Sequence, residues 1–145
     1  MKILITGGAG FIGSNVADTY LKAGHKVTIV DNLVTGKRRN INPEAVVYEM
    51  DICDENLSQI FDKEKPDIVN HHAAQISVPL SVENPLMDIT SNVYGWVNVL
   101  QNCINSGVKK VIYISSGGAI YGEAEEYPTT ETYNPKPLSI YAINK

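Results

Sequence analysis

Three stretches of this 145-residue chain have residue types at spacings that could do chemistry. Thr6 to Ser14 reads TGGAGFIGS and puts Gly7, Gly10 and Gly13 directly after an apolar run. Glycines so placed permit a tight turn, a close approach of the main chain to a pyrophosphate, and tight packing of the next helix on the preceding strand. The unpaired N–H groups and partial positive charge at that helix's start would face the diphosphate. Asp31, 24 residues after Gly7, closes the next apolar run. A carboxylate there can accept hydrogen bonds from both hydroxyls of an adenosine ribose and would repel a 2′-phosphate. Together these features point to a bound dinucleotide, NAD rather than NADP. Lys37, Arg38 and Arg39 could offset Asp31, but they read as a solvated loop. Asp51 and Ile52, after the third run, could line the adenine pocket, or Asp51 could cap the helix that follows.

The third stretch is YAINK, where Tyr141 and Lys145 stand one helical turn apart. A tyrosine used as a base near neutral pH needs its pKa lowered by about three units, or ~4 kcal/mol. One cation ~4 Å away in partly screened surroundings supplies energy of that order. By itself the spacing is common and reads equally as a surface pair.

The elements that would position these residues follow from the apolar pattern. Residues 2–6, 26–30, 46–50, 67–70 and 111–115 are short β-branched runs, as expected of parallel strands covered on both faces. Helices are expected from the glycine loop to about Leu21, ended by Gly24, and from Glu55 to about Lys63. A long helix is expected over Pro85 to Ser106. Along it Leu86, Ile89, Val93, Val97, Leu100 and Ile104 form a stripe expected to pack on the sheet; Trp96, Val99 and Cys103 on other faces leave room for a partner helix, although each of them singly reads as core. The order predicts an α/β, doubly wound parallel sheet, Rossmann-like, with ligands at the carboxyl ends of the strands. It reads as truncated after the fifth strand, with residues 1–145 as an incomplete NAD-binding domain and the substrate-binding C-terminal part absent. Turnover by this length of chain alone is not expected.

Composition narrows the classes. Hydrophobic content of 43% and a net charge of -4 suit a globular protein and argue against a nucleic-acid surface. Cys53 and Cys103 are far apart and have no CxxC spacing, so a cytoplasmic location is expected. Neither a signal peptide nor a membrane span is expected. Adjacent His71 and His72 would point to opposite faces of a strand, and with no further ligand they predict no metal site.

The ordered motifs TGGAGFIGS, DNLVTG (31–36), Asp51-Ile52, HHAAQ (71–75), NVYGWVNVL (92–100), SSGGAIYG (115–122) and YAINK resemble the extended short-chain dehydrogenase/reductases, specifically the NAD-dependent sugar-nucleotide epimerase/dehydratase family. The resemblance implies that Phe11, Ile12, Asp31, Asn32, Asp51, Ile52, His72, Ala73, Ala74 and Gln75 line the NAD site. It implies that Asn92 supports the active-site geometry and that Ser115 lies against the cofactor. Tyr141 is then the base, and Lys145 binds the nicotinamide ribose while tuning the tyrosine. The family's serine or threonine four residues before the tyrosine of YG falls on Gly117, and Ser116 is the closer substitute. A 4,6-dehydratase of this family would carry an Asp-Glu pair where Gly118 and Ala119 stand. The implied activity is therefore inversion of a UDP-sugar at C4 by transient hydride transfer to NAD, in a homodimer formed through the long helix and the one starting at Tyr141. The alternatives are a non-catalytic NAD-binding module or another sugar-nucleotide-modifying member. Trp96, Ile140 and Ala142 depart from the family pattern where Thr, Pro and Gly are usual.

Overall fold

The structure, a computed structural model, describes residues 1–145. Five strands form one parallel sheet in the order β3-β2-β1-β4-β5: β1 Lys2–Thr6, β2 Lys26–Asp31, β3 Val46–Glu49, β4 Ile68–His71 and β5 Lys110–Tyr113. Each ladder is parallel, with Ile3 to Thr6 of β1 paired to Val27 to Val30 on one side and to Ile68 to His71 on the other. The chain steps outward from β1 to β3 and then crosses back to β4 on the other side of β1. The crevice at the carboxyl ends of β1 and β4 is thus the topological switch point, where open α/β sheets bind ligands.

The pleat divides the apolar residues between two cores. Ile3, Ile5, Val27 and Ile29 face α1 (Phe11–Lys22), where Ala17 is buried against them. Leu4, Val30 and Val69 face the other way, onto Leu57, Ile60 and Phe61 of α2 (Leu57–Glu64) and onto Val99 and Cys103 of α5 (Gly95–Asn105). Burying a side chain such as Phe61 completely stabilises the fold by roughly 1.5–3 kcal/mol. Because both faces are covered, strands made of continuous apolar runs are satisfied without polar alternation. Gly24, in the left-handed region at φ 79°, ends α1 as expected.

The region after β4 differs from the expectation. A short helix, α3 (Val78–Glu83), precedes the long one. The long one is α4 (Pro85–Ile89), a π-turn over Thr90–Tyr94, and α5. The helix is also turned from the expected orientation, while Trp96, Val99 and Cys103 are core residues as each reads singly. Leu86, Ile89, Val97 and Ile104, expected against the sheet, are 75%, 43%, 55% and 73% exposed. Val99 and Cys103 are buried instead, and Trp96 packs against the same core. The helix carries two apolar stripes, and periodicity alone cannot say which of them meets the sheet. The extra residue of the π-turn also rotates α4 relative to α5, so no single 3.6-residue stripe runs the whole length.

The last two helices are single turns, α6 (Gly117–Ile120) and α7 (Ile140–Asn144). The Ser139 side chain caps α7 by accepting from the Ala142 N–H at 3.1 Å. None of the helices is long and apolar enough to cross a membrane.

Candidate active site

The glycine loop lies at the switch point and is closed by main chain on both sides. Gly7 adopts φ 69°, and a Cβ there would sit 2.6 Å from Ala73 N, in the loop after β4. A Cβ on Gly13 would sit 2.4 Å from the Gly7 carbonyl oxygen, so the first turn of α1 rests directly on the loop. Gly10 heads α1 with no side-chain cap, and the first turn holds no acidic residue. Phe11 and Ile12 are exposed there. The result is an open, electropositive cradle of N–H groups that suits a diphosphate.

Asp31 is the last residue of β2 and is buried. Its Oδ2 accepts from the Ala9 N–H and its Oδ1 from the Leu33 N–H, both at 2.8 Å. A carboxylate has about four acceptor positions, so each oxygen can still take one ribose hydroxyl. In the basic run that follows, one side chain is engaged away from Asp31. Arg38 pairs with Glu49 on β3, and the Lys37 N–H and the Asn40 amide both bind the Ala9 carbonyl. Asp51 accepts from Asn32 Nδ2 at 2.7 Å and from the Cys53 N–H at 2.8 Å, fixing the turn after β3. Burial would raise its pKa, but these hydrogen bonds outweigh it and hold the carboxyl below its ordinary range. Ile52 is buried in the α5-side core, so toward a ligand it can offer only main chain.

The loop after β4 faces the glycines. The His72 N–H binds the Thr6 carbonyl at 3.0 Å, and the Ala73 N–H approaches Thr6 Oγ1 at 3.3 Å. Further along, Gln75 exchanges two hydrogen bonds with Asn92: its N–H donates to Oδ1 at 2.9 Å, and its carbonyl accepts from Nδ2 at 3.0 Å. Asn92 is buried in the π-turn. Ala74 lies half-buried between these anchor points. His72 Nε2 is buried without a hydrogen-bond partner.

Helix α7 carries Tyr141 and Lys145 to the carboxyl edge beside β5. The Tyr141 N–H donates to Ser81 Oγ of α3 at 3.1 Å. Lys145 Nζ donates to the Ile114 carbonyl at 2.7 Å and lies 4.9 Å from the centre of the Tyr113 ring. Burial holds this lysine below its ordinary range, partly opposed by Asp88. Ser115 Oγ donates to the Lys145 carbonyl at 2.8 Å. Ser116 heads α6, and its side chain makes no capping bond there. Of the two serines near Gly117, Ser116 therefore keeps its hydroxyl free. A Cβ on Gly117 would meet nothing within 4 Å, so no steric conflict bars a side chain at that position.

Two residues with no assigned role in the sequence pattern stand inside this arrangement. Tyr113 lies under Lys145, its hydroxyl pushed up by burial and by the proximity of Tyr141. It stacks on His71 at 5.8 Å and packs against Trp96 at 4.7 Å. Asp88 is completely buried and binds Asn92 Nδ2 at 2.7 Å. Signals for both were present in the sequence. Tyr113 shares a strand face with Ser115, and Asp88 lies one helical turn before Asn92.

The glycine loop, the buried Asp31 and the turn from Tyr141 to Lys145 thus share one edge of a doubly wound sheet. The profile of the NAD dependent epimerase/dehydratase family matches residues 3–145. The chain belongs to that family. Among its relatives, a putative UDP-glucose 4-epimerase of Methanocaldococcus jannaschii is 43% identical over 143 residues, covering 99% of this chain and 47% of the relative. The UDP-glucose 4-epimerase of Thermotoga maritima, solved with UDP-glucose, superposes with a TM-score of 0.97 at 48% identity, covering all of this chain and 48% of that one. The Thermus thermophilus UDP-glucose 4-epimerase in complex with NAD gives 0.96 at 44% identity, covering all of this chain and 47% of that one. This member of the family therefore spans about half the length of the relatives it matches.

Proposed function

We propose that this chain is the NAD-binding half of an enzyme that inverts a UDP-hexose at C4, of the UDP-glucose/UDP-galactose type. The observation that carries the reading is the convergence of Tyr141, Lys145, Ser116 and Asn92 on the carboxyl edge that also holds the glycine cradle. The residues fit the cofactor: Gly7, Gly10 and Gly13 leave room for the diphosphate beside the N–H groups of Phe11 and Ile12. Asp31 takes the adenosine ribose, and the 72–75 loop closes the crevice. Bound NAD would supply a hydride acceptor at C4 and a donor of that hydride to the opposite face. Tyr141 takes the proton of the 4-hydroxyl, and Ser116 holds the reacting oxygen by hydrogen bonding. Lys145, fixed by the Ile114 carbonyl, stabilises the tyrosinate and binds the nicotinamide ribose. No other acid or base is needed, since inversion at C4 moves one proton and one hydride. Helix α6 agrees, because Gly118 and Ala119 offer no carboxylate to drive loss of water.

The protein carrying this chain together with a sugar-binding half is expected to interconvert UDP-glucose and UDP-galactose without net consumption of NAD. Binding of NAD with no change at C4 of any UDP-hexose would rule out the epimerase and leave a binding module. We further propose a homodimer through the exposed face of α4 and α5, where Leu86, Ile89, Val97 and Ile104 project, with Ile143 of α7 also exposed. Sedimentation over a dilution series is expected to show a dimer that dissociates, and a monomer throughout would count against that assembly. Cys53 and Cys103 are both free thiols, which supports a reducing, cytoplasmic setting.

A further inference from the structure

Three separate pieces of chain meet at one buried carboxylate: the loop after β4, the long helix and α7. Asp88 of α4 accepts at Oδ2 from Asn92 Nδ2 at 2.7 Å and from Gln75 Nε2 at 3.4 Å. At Oδ1 it accepts from Asn144 Nδ2 of α7 at 3.2 Å. Asp88 is completely inaccessible and forms no direct salt bridge. A carboxylate removed from water is expensive to keep unless its acceptor positions are filled, and here three amides fill them. We propose that Asp88 is a positioning residue for the Tyr141–Lys145 helix, locking Asn144 and Asn92 into one frame and supplying the negative charge that faces the half-buried Lys145 ammonium. The catalytic meaning of this role rests on the reading of Tyr141 as the base; the placement of Asp88 does not.

Helix α7 is a single turn, and one turn has no stability of its own in water. Its position comes from tertiary bonds: Tyr141 N–H to Ser81 Oγ, Ser115 Oγ to the Lys145 carbonyl, Lys145 Nζ to the Ile114 carbonyl, and Asn144 to Asp88. Two of these involve a charged group, Lys145 Nζ at the Ile114 carbonyl and Asn144 at the Asp88 carboxylate, and such bonds are about twice as strong as neutral ones. The bond to Asp88 is the only one of the four that ties α7 to the long helix carrying Asn92. The charge matters as well. The groups facing Lys145 are Asp88 from α4, His71 and His72 from the end of β4, Tyr113 from β5 and Tyr141 from α7. Burial lowers the pKa of both imidazoles, and Lys145 lowers it further, so both stay neutral. Asp88 is left as the group that opposes the desolvation of Lys145.

The test is NMR on this chain with labelled lysine side chains, comparing wild type, Asp88→Asn and Asn144→Ala. In Asp88→Asn the Lys145 titration midpoint is expected to fall further below wild type, and the α7 amides to exchange about tenfold faster. In Asn144→Ala, where the carboxylate remains, exchange in α7 is expected to quicken while the midpoint stays near wild type. A folded Asp88→Asn chain with wild-type midpoint and exchange would overturn the proposal. If Asp88→Asn does not fold, Asn144→Ala decides, and unchanged exchange in α7 overturns it. None of these readouts uses catalysis, so a failure of the epimerase reading would leave them intact.

Discussion

Gly13→Ala is expected to reduce NAD+ binding by this chain at least about 100-fold in calorimetric titration, which corresponds to ~2.8 kcal/mol. The wild-type chain is expected to bind NAD+ saturably and NADP+ far more weakly. The cause is steric, and no rotamer relieves it. The added Cβ would lie 2.4 Å from the Gly7 carbonyl oxygen and 3.0 Å from Gly8 Cα, both main-chain atoms. Either the glycine loop opens or α1 shifts outward, and both movements take the first-turn N–H groups away from the diphosphate. Forced overpacking of this kind costs about 1–3 kcal/mol of stability as well. Gly10→Ala separates fold from binding. Its Cβ would meet only the Gly7 carbonyl oxygen, at 3.3 Å, so the melting temperature should change little. NAD+ binding should still fall, because the Cβ enters the space proposed for the diphosphate. The NADP+ arm tests Asp31: a 2′-phosphate would face a buried carboxylate already held by Ala9 and Leu33. Near wild-type affinity in Gly13→Ala, with an unchanged melting temperature, would remove the diphosphate from this cradle.

Much of this site is legible in the sequence because its parts are local. A glycine loop must follow a strand and open a helix, and the ribose acid must end the next strand. Both conditions hold along a short stretch of chain, and both are found in the fold. The sheet order is equally accessible, since apolar β-branched runs alternating with helices admit few arrangements. What periodicity could not supply was the orientation of the long helix. Leu86, Ile89, Val97 and Ile104 have as regular a spacing as Trp96, Val99 and Cys103, so the helix is apolar on two sides. The sheet takes the stripe with the aromatic and the thiol, where Trp96 also reaches His71 and Tyr113. Asp88 escaped notice for a related reason. A single acid in an amphipathic helix ordinarily lies on the solvated face, and only three-dimensional closure brings Gln75, Asn92 and Asn144 around it. Ser116 shows the reverse case. The family's expected hydroxyl position is a glycine, and the sequence does not show that Ser115, the other neighbouring serine, is bonded to the Lys145 carbonyl.

The imidazole beneath that aromatic cluster makes the fold acid-sensitive in a defined window. His71 is buried, its Nδ1 2.8 Å from Thr6 Oγ1, and its ring packs against both Trp96 at 4.6 Å and Tyr113 at 5.8 Å, which also touch each other. Burial, then the nearby Lys145 and His72, push its pKa down from 6.5 to about 3. The sign follows directly. Below pH 6.5 the unfolded chain takes up a proton that the folded chain refuses, so stability falls as pH falls and levels off near pH 3. Between pH 7 and pH 4.5 the expected loss is about 2–3 kcal/mol, a large part of the stability of a domain this size. His72 shifts in the same direction through burial and Lys145 and adds to the slope. Asp51 and Asp67 are both held below the ordinary value of 3.8, so their contributions are lost only at lower pH. Urea unfolding at pH 7, 6, 5 and 4.5 measures the effect. His71→Gln is expected to be less stable at pH 7, because the ring stack is lost, yet to show a clearly flatter dependence on pH. An equally steep slope in that variant would move the origin of the acid sensitivity away from His71. Because the ring stacks on Tyr113, and Tyr113 lies against Lys145, the protonation that destabilises the domain falls at the floor of the proposed active site.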